Sequence, residues 1–271
     1  MSKGRNPDKA KVDPALHGTR INKYIASLGI CSRREADRRV EAGEVYINGV
    51  KAVPGARVKK GDKVMLDGVL LKKKPVKHIY IALNKPRGIV STTDPAEKNN
   101  VISFMNYPER IFPIGRLDKD SEGLLLLSND GDIVNRILRA RYGHEKEYLV
   151  RVNKPYDEKF RHKMENGVEI LGQETLPAKF RPVDNKTFRL TLTQGLNRQI
   201  RRMCDALGYE VERLERIRIM NITLGNMTPG SWRYLTIKEM RQLEGLLEKA
   251  EEEADGEDAI DFPPLFGDDI Q

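Results

Sequence analysis

The chain has 271 residues, 39% of them hydrophobic, which suits one large domain and one small one, each with its own core. No run of eighteen apolar residues occurs, the N-terminus MSKGRNPDKAK lacks an apolar signal core, and there are only two cysteines. A membrane span and a disulfide framework are therefore not expected, and Cys31 and Cys204 are predicted to be reduced core residues of a cytoplasmic protein. The net charge of +8 hides an asymmetry: residues 248–271 hold ten acidic residues and one lysine, a net of −9, which leaves +17 on residues 1–247. A body this basic implies a polyanionic partner, of which nucleic acid is the commonest, although charge alone is also compatible with a solvated basic surface.

Residues 1–18 mix Lys, Pro, Asp and Gly without periodicity and read as a flexible arm. Ile21, Tyr24, Ile25 and Leu28 then recur at i, i+3, i+4 and i+7, the stripe of a buried helix that Gly29 stops. Ser32 and Glu35 match a reciprocal capping box, and the helix they open runs to Ala42 with Gly43 as its stop. Asn48-Gly49 and Asp67-Gly68 predict two tight hairpins between short strands. The second helix carries Arg33, Arg34, Arg38 and Arg39, more arginine than a solvated helix needs, and these are candidate phosphate contacts. Residues 72–77 are basic and proline-broken, as a linker is. Beyond them HIYIALN, GLLLLS, EYLVRV and FRLTLT read as strands, with helices at 132–139 and 157–166. A clear helix spans 197–207, striped by Ile200, Met203, Cys204 and Leu207. A last helix starts near Thr236, and an acidic tail, expected to be disordered, fills 248–271. The domains are thus expected at 19–71 and 78–247.

His17, His78, His144 and His162 show no metal-ligand spacing, and neither a phosphate-binding P-loop, a dinucleotide fingerprint nor a nucleophile elbow is present. Chemistry here would rest on carboxylate, arginine, tyrosine or lysine, without a metal. One polar segment fits: Gly115-Arg116-Leu117-Asp118-Lys119-Asp120-Ser121-Glu122-Gly123, immediately ahead of the buried run LLLL. By itself it reads more readily as a charged turn in which Asp118 or Asp120 caps backbone N–H groups. The other candidate is Arg201, which helical spacing sets beside the apolar stripe, while Arg198 and Arg202 fall toward solvent. An arginine at that border needs an anionic partner, be it a structural ion pair or a phosphate.

These segments together resemble a known family. RINKYIASLGICSRREADRRVEAGEVYINGVKAVPGARVKKGD is similar to the S4 RNA-binding domain. GRLDKDSEGLLLLSNDGD resembles the aspartate motif of pseudouridine synthases, HEKEYLV their tyrosine motif, and QGLNRQIRRMCDALGYEVERLERIRI their late arginine motif, in the order found in the group related to RsuA. The resemblance covers about residues 19–240. It implies an α+β chain: an S4 domain, then a catalytic domain with a mixed, largely antiparallel sheet flanked by helices around a central cleft. It further implies Asp118 as the catalytic carboxylate, Tyr148 against the target base, Arg201 in a salt bridge with Asp118, and Arg116 near a flipped nucleotide. Asp120 and Glu122 have no catalytic counterpart. The isomerisation adds no group, so no cofactor is expected. The implied substrate is a uridine in structured RNA, 23S rRNA first, with tRNA as the alternative, acted on by a monomer. The competing reading is a catalytically silent S4 protein of ribosome assembly. It explains the charge and residues 19–71 but not Asp118, Tyr148 and Arg201 in their motif positions. Should the S4-like segment not anchor RNA, Arg136, Arg139 and Arg141 form the next basic cluster.

Overall fold

A computed structural model of the chain describes residues 18–72, 77–138 and 143–256, the last three of these without their side chains. Contacts divide the chain after Lys77 into two units. The expected arm up to residue 17, most of the linker, Arg139, Arg141 and residues 257–271 lie outside the described residues. No described helix is long and apolar enough to cross a membrane.

The first unit contains β1 (Thr19–Arg20), α1 (Ile21–Ser27), α2 (Arg33–Ala42), β2 (Val45–Ile47), β3 (Val50–Lys51), β4 (Arg57–Val58), β5 (Val64–Leu66) and β6 (Val69–Leu70). Strands β3-β2-β5-β6 form an antiparallel sheet in that order, and β1 pairs with β4. Both hairpins turn where the sequence predicts, with Asn48, Gly49, Asp67 and Gly68 all at positive φ, as such two-residue turns require. Ile21 and Ile25 of α1 and Ala36 and Val40 of α2 pack on Val45, Val64 and Leu66 of the sheet. The capping box is only half formed. Ser32 Oγ accepts the Glu35 N–H, but the Glu35 carboxylate turns to Arg38 and Arg39. Cys31 is half-buried at the margin of this core, whereas Cys204 of the second unit is fully buried.

The second unit is built on β7 (Tyr80–Lys85), β8 (Phe112–Ile114), β9 (Glu122–Ser128), β10 (Lys146–Val152), β11 (Glu169–Ile170), β12 (Gln173–Glu174), β13 (Lys179–Pro182), β14 (Thr187–Leu192), β15 (Val211–Ile219), β16 (Ile222–Thr223) and β17 (Trp232–Tyr234). Its helices are α3 (Val101–Met105), α4 (Gly131–Leu138), α5 (Glu158–Asn166), α6 (Gln199–Ala206) and α7 (Ile237–Gly256). One nine-stranded sheet runs β13-β14-β10-β15-β9-β7-β17, with β16 on β15 and β8 on β9. Every pairing is antiparallel except β9 with β15. This is the mixed, largely antiparallel sheet expected. The longest strand, β15, sits in its middle and was not among the predicted strands. Its sequence VERLERIRI offers no clean alternation, because Arg216 is buried within it.

The parallel junction is unusually close. Glu122 and Gly123 face Glu215 and Arg216, and a Cβ on Gly123, whose φ is +101°, would stand 2.4 Å from the Arg216 carbonyl oxygen. Glycine is the residue that tolerates both the φ and the approach. Gly123→Ala should therefore lower stability by about 3 kcal/mol. A chemical-denaturation midpoint equal to that of the parent would show that the two strands separate without cost.

The C-terminal region differs from expectation. Helix α7 continues through Gly256, so the acidic segment begins as helix rather than as disordered chain. Thr236 and Glu239 cap it reciprocally, its Leu243 and Leu247 are buried against the sheet, and Glu251 makes a two-pronged pair with Arg136 of α4. Apolar anchoring and this pair hold a segment that composition alone marks as solvated.

Candidate active site

The segment 115–121 connects β8 to β9, and its backbone is fixed at nearly every step. Leu117 is buried. The Ser91 hydroxyl accepts the Leu117 N–H and donates to the Leu117 carbonyl. Gly88 N–H bonds the Lys119 carbonyl, and Ser121 N–H bonds the Asp118 carbonyl. Two arginines from other elements grip the loop on either side of Asp118. Arg216 of β15 donates to the Arg116 carbonyl at 3.3 Å, and Arg201 of α6 donates to the Asp120 carbonyl at 3.2 Å and to Ser121 Oγ at 3.4 Å. Asp118 is thus a one-third-exposed carboxylate on a rigid support, the arrangement that lets a reactive group hold its geometry.

Asp118 does not pair with Arg201. Its ion pair is with Arg198, at 3.8 Å. Helical spacing aims Arg198 at solvent because it assumes that the helix has already begun at 197. In fact α6 starts at Gln199, and Arg198 is its N-cap in the left-handed region, at φ 50°. Buried Gln199 fixes this turn by accepting the Leu196 N–H and donating to Gln194. Arg201 lies lower, with its Nη1 on the Val211 carbonyl. Burial, and then the Arg198 charge, lower its pKa, which Asp118 and Asp120 oppose. Asp120 contributes its backbone rather than its carboxylate, and Glu122 is paired with Arg213.

Asp118, Tyr148, Arg116, Arg198, Lys146 and Arg216 line one cleft of about 250 Å³. Tyr148 stands in β10, where a bulge between Glu147 and Tyr148 shifts the register against β15, the kind of irregularity that re-aims a side chain. A wider recess of about 420 Å³, lined by Lys163, Gly167, Glu174 and Leu207 among others, contains none of these groups. Chemistry rather than volume therefore selects the smaller cleft. Arg216 and Lys146 were not anticipated as site residues. No three His, Cys, Asp or Glu side chains gather into a metal-binding group among the described residues.

In the first unit, Arg33 and Arg34 are exposed, and Arg38 is exposed despite its pair with Glu35. Arg39 differs: it is ion-paired with Glu35, Glu44 and Asp67, which ties α2 to the β5–β6 turn.

Residues 79–206 match the family of RNA pseudouridylate synthases, and residues 19–64 match the S4 domain. The dual-specificity RNA pseudouridine synthase RluF of Escherichia coli strain K12 is 53% identical over 86% of this chain and 81% of its own length. The ribosomal large subunit pseudouridine synthase B of Bacillus subtilis is 35% identical over 84% of this chain and 96% of its own. A crystal structure of a pseudouridylate synthase superposes with a TM-score of 0.62 at 31% identity, covering 83% of this chain and all of that one.

Proposed function

The chain belongs to the RNA pseudouridylate synthases, with an S4 domain ahead of the catalytic unit in sequence, and from that premise we propose that Asp118 acts on a uridine extruded from structured RNA into the cleft it shares with Tyr148. The observation that carries this reading is the clamping of the Asp118 loop by Arg201 and Arg216 beside that cleft. A uridine inside folded RNA must leave its stack to be reached, and the Tyr148 ring stacks on the base. Two routes are open to the carboxylate: attack at C1′, or removal of a sugar proton. Either leads to breakage of the N1–C1′ bond and its replacement by C5–C1′, with nothing added and no cofactor called for. Arg198 supplies a positive charge beside the carboxylate, at 3.8 Å. Arg201 positions the loop, and exposed Arg116 lies against the space the nucleotide vacates.

The substrate that fits best is rRNA of the large subunit, as the name of the Bacillus relative suggests. A second reading adds tRNA, because the relative at 53% identity is named as a dual-specificity enzyme. The protein acts as a monomer in the cytoplasm. Pseudouridine mapping of total RNA from cells with and without the protein tests the substrate. Sites lost in 23S rRNA alone support the first reading, sites lost in both RNAs the second, and no lost site overturns both.

RNA anchoring falls to Arg33, Arg34 and Arg38 on the exposed face of α2. Arg39, already ion-paired three times, is left out. Changing the three exposed arginines to alanine should flatten the slope of log K against log salt by roughly two to three units, at about 0.7–0.9 per phosphate contact. Arg39→Ala should instead lower stability with little change in slope. Equal slopes for the triple variant and the parent would move the anchor to another face. Arg136 is a weaker candidate for that role because Glu251 already holds it.

A further inference from the structure

Arg216 and Lys146 share a property found in no other cations of the cleft: they are buried or partly buried and have no carboxylate partner among the described residues. Arg216 is 3% exposed. Its Nε donates to the Leu124 carbonyl and its Nη1 to the Arg116 carbonyl, while its buried Nη2 has no acceptor among the described residues. Among the described residues, Lys146 Nζ bonds only the His144 carbonyl, at 3.2 Å. The acids on the same strands are engaged elsewhere. Glu145 and Glu147 are held by Arg218, with Lys179 and Arg189 assisting, and Glu122 and Glu215 by Arg213. His144 adds no further positive charge, since burial lowers its pKa. Asp118 shares the cleft but pairs with Arg198, and two cations with no carboxylate of their own in a partly desolvated cleft are costly unless a ligand brings the negative charge.

We propose that Arg216 and Lys146 form an anion-binding floor that takes up the charge of the uracil as its glycosidic bond breaks. The proposal rests on the reading of Asp118 given above, and both routes open to Asp118 release the same anion. The N1–C1′ bond breaks and its electron pair leaves with the base, which spreads the charge over N1, O2 and O4. The Arg216 Nη2–H and the Lys146 ammonium then face a charge that the neutral uridine lacks. Interactions of this kind accelerate the step because they strengthen only as charge develops. The charge disappears when C5 bonds to C1′; the C5 proton then leaves to water and N1 takes one up. A phosphate is a poorer occupant, because an extruded nucleotide enters base first while its phosphates stay with the strand. Burial and the neighbouring Arg216 bring the Lys146 pKa down to about 8, which leaves the ammonium mostly protonated at neutral pH.

The test is Lys146→Met in the full-length enzyme, with Lys146→Arg as the conservative variant, since Arg216 also holds backbone and its replacement would disturb the fold. Turnover is measured on a substrate RNA carrying uridine at the target position. Glycosidic cleavage is measured on the same RNA carrying 5-fluorouridine, whose base leaves more readily as an anion. Lys146→Met should lower kcat on uridine by about 10²-fold with KM within a few-fold, as loss of one such donor does. The deficit should shrink at least tenfold on 5-fluorouridine, and Lys146→Arg should restore much of the rate. An unchanged kcat, a rise in KM alone (a phosphate contact), or an equal deficit on both RNAs (a merely structural lysine) would each overturn the proposal. An inactive Asp118→Asn beside a fully active Lys146→Met would remove this inference alone, whereas an active Asp118→Asn would remove the reading beneath it.

Discussion

Asp118→Asn will lower pseudouridine formation by at least about 10⁴-fold while leaving RNA affinity within a few-fold. The size follows from the role: loss of a group that reacts directly costs far more than loss of a neighbour. The selectivity follows from the geometry. The backbone around Asp118 is held through Leu117, Lys119, Asp120 and Ser121, and none of those bonds uses the Asp118 carboxylate. The amide thus keeps both shape and support, and the exposed arginines of α2 remain untouched. Asp120→Asn is the matched control. Its carbonyl accepts from Arg201 whatever the side chain, so most activity should survive. Turnover by purified Asp118→Asn free of contaminating enzyme would overturn the assignment. Loss of activity in both variants would point to the charge of the loop as a whole.

Much of this site was legible in the sequence because it is local. The nine residues from Gly115 to Gly123 announce a polar loop ahead of a buried strand, and 115–121 form that loop while Glu122 and Gly123 open β9. Both hairpins of the first unit follow from dipeptides whose backbone angles are nearly dictated. What escaped is non-local. Arg216 interrupts the apolar pattern of β15, so the central strand of the sheet passed unnoticed together with its buried guanidinium. The available signal was the glycine opposite: Gly123 in a buried strand marks a close backbone approach, though not by which residue. The Arg198 assignment failed on a two-residue shift in the start of α6, because a left-handed N-cap cannot be read from periodicity. Arg38 and Arg39 are adjacent and chemically identical, yet Glu44 and Asp67, brought in by the fold, make Arg39 a structural tie while Arg38 stays exposed.

Arg201→Ala should lower kcat by about 10²–10³-fold and the thermal midpoint by roughly 5–10 °C, and Arg198→Ala should lower kcat about tenfold with the midpoint nearly unchanged. The contrast comes from what each guanidinium holds. Arg201 bonds three oxygens on two other segments, Val211 O, Asp120 O and Ser121 Oγ. Its removal leaves the acceptors on Val211 and Ser121, both buried residues, unpaired, at about 1–3 kcal/mol each, and frees the loop that carries Asp118. A displacement of about 1 Å at a reacting group is enough for a 10²-fold loss. For a unit of this size, 2–3 kcal/mol corresponds to several degrees at the midpoint. Arg198 makes one ion pair at 3.8 Å and is 42% exposed, so its pairing is worth at most about 1 kcal/mol to the fold. Its contribution is the charge beside Asp118, which a lysine also supplies. Arg198→Lys should therefore recover most of the rate. Arg201→Lys should not, because an ammonium cannot span the oxygens that the planar fork reaches. Thermal melts and single-turnover rates on the four variants decide the matter. Full rescue by Arg201→Lys would make Arg201 a charge partner of Asp118 after all, and a stable, fully active Arg201→Ala protein would show that the loop holds its geometry without the clamp.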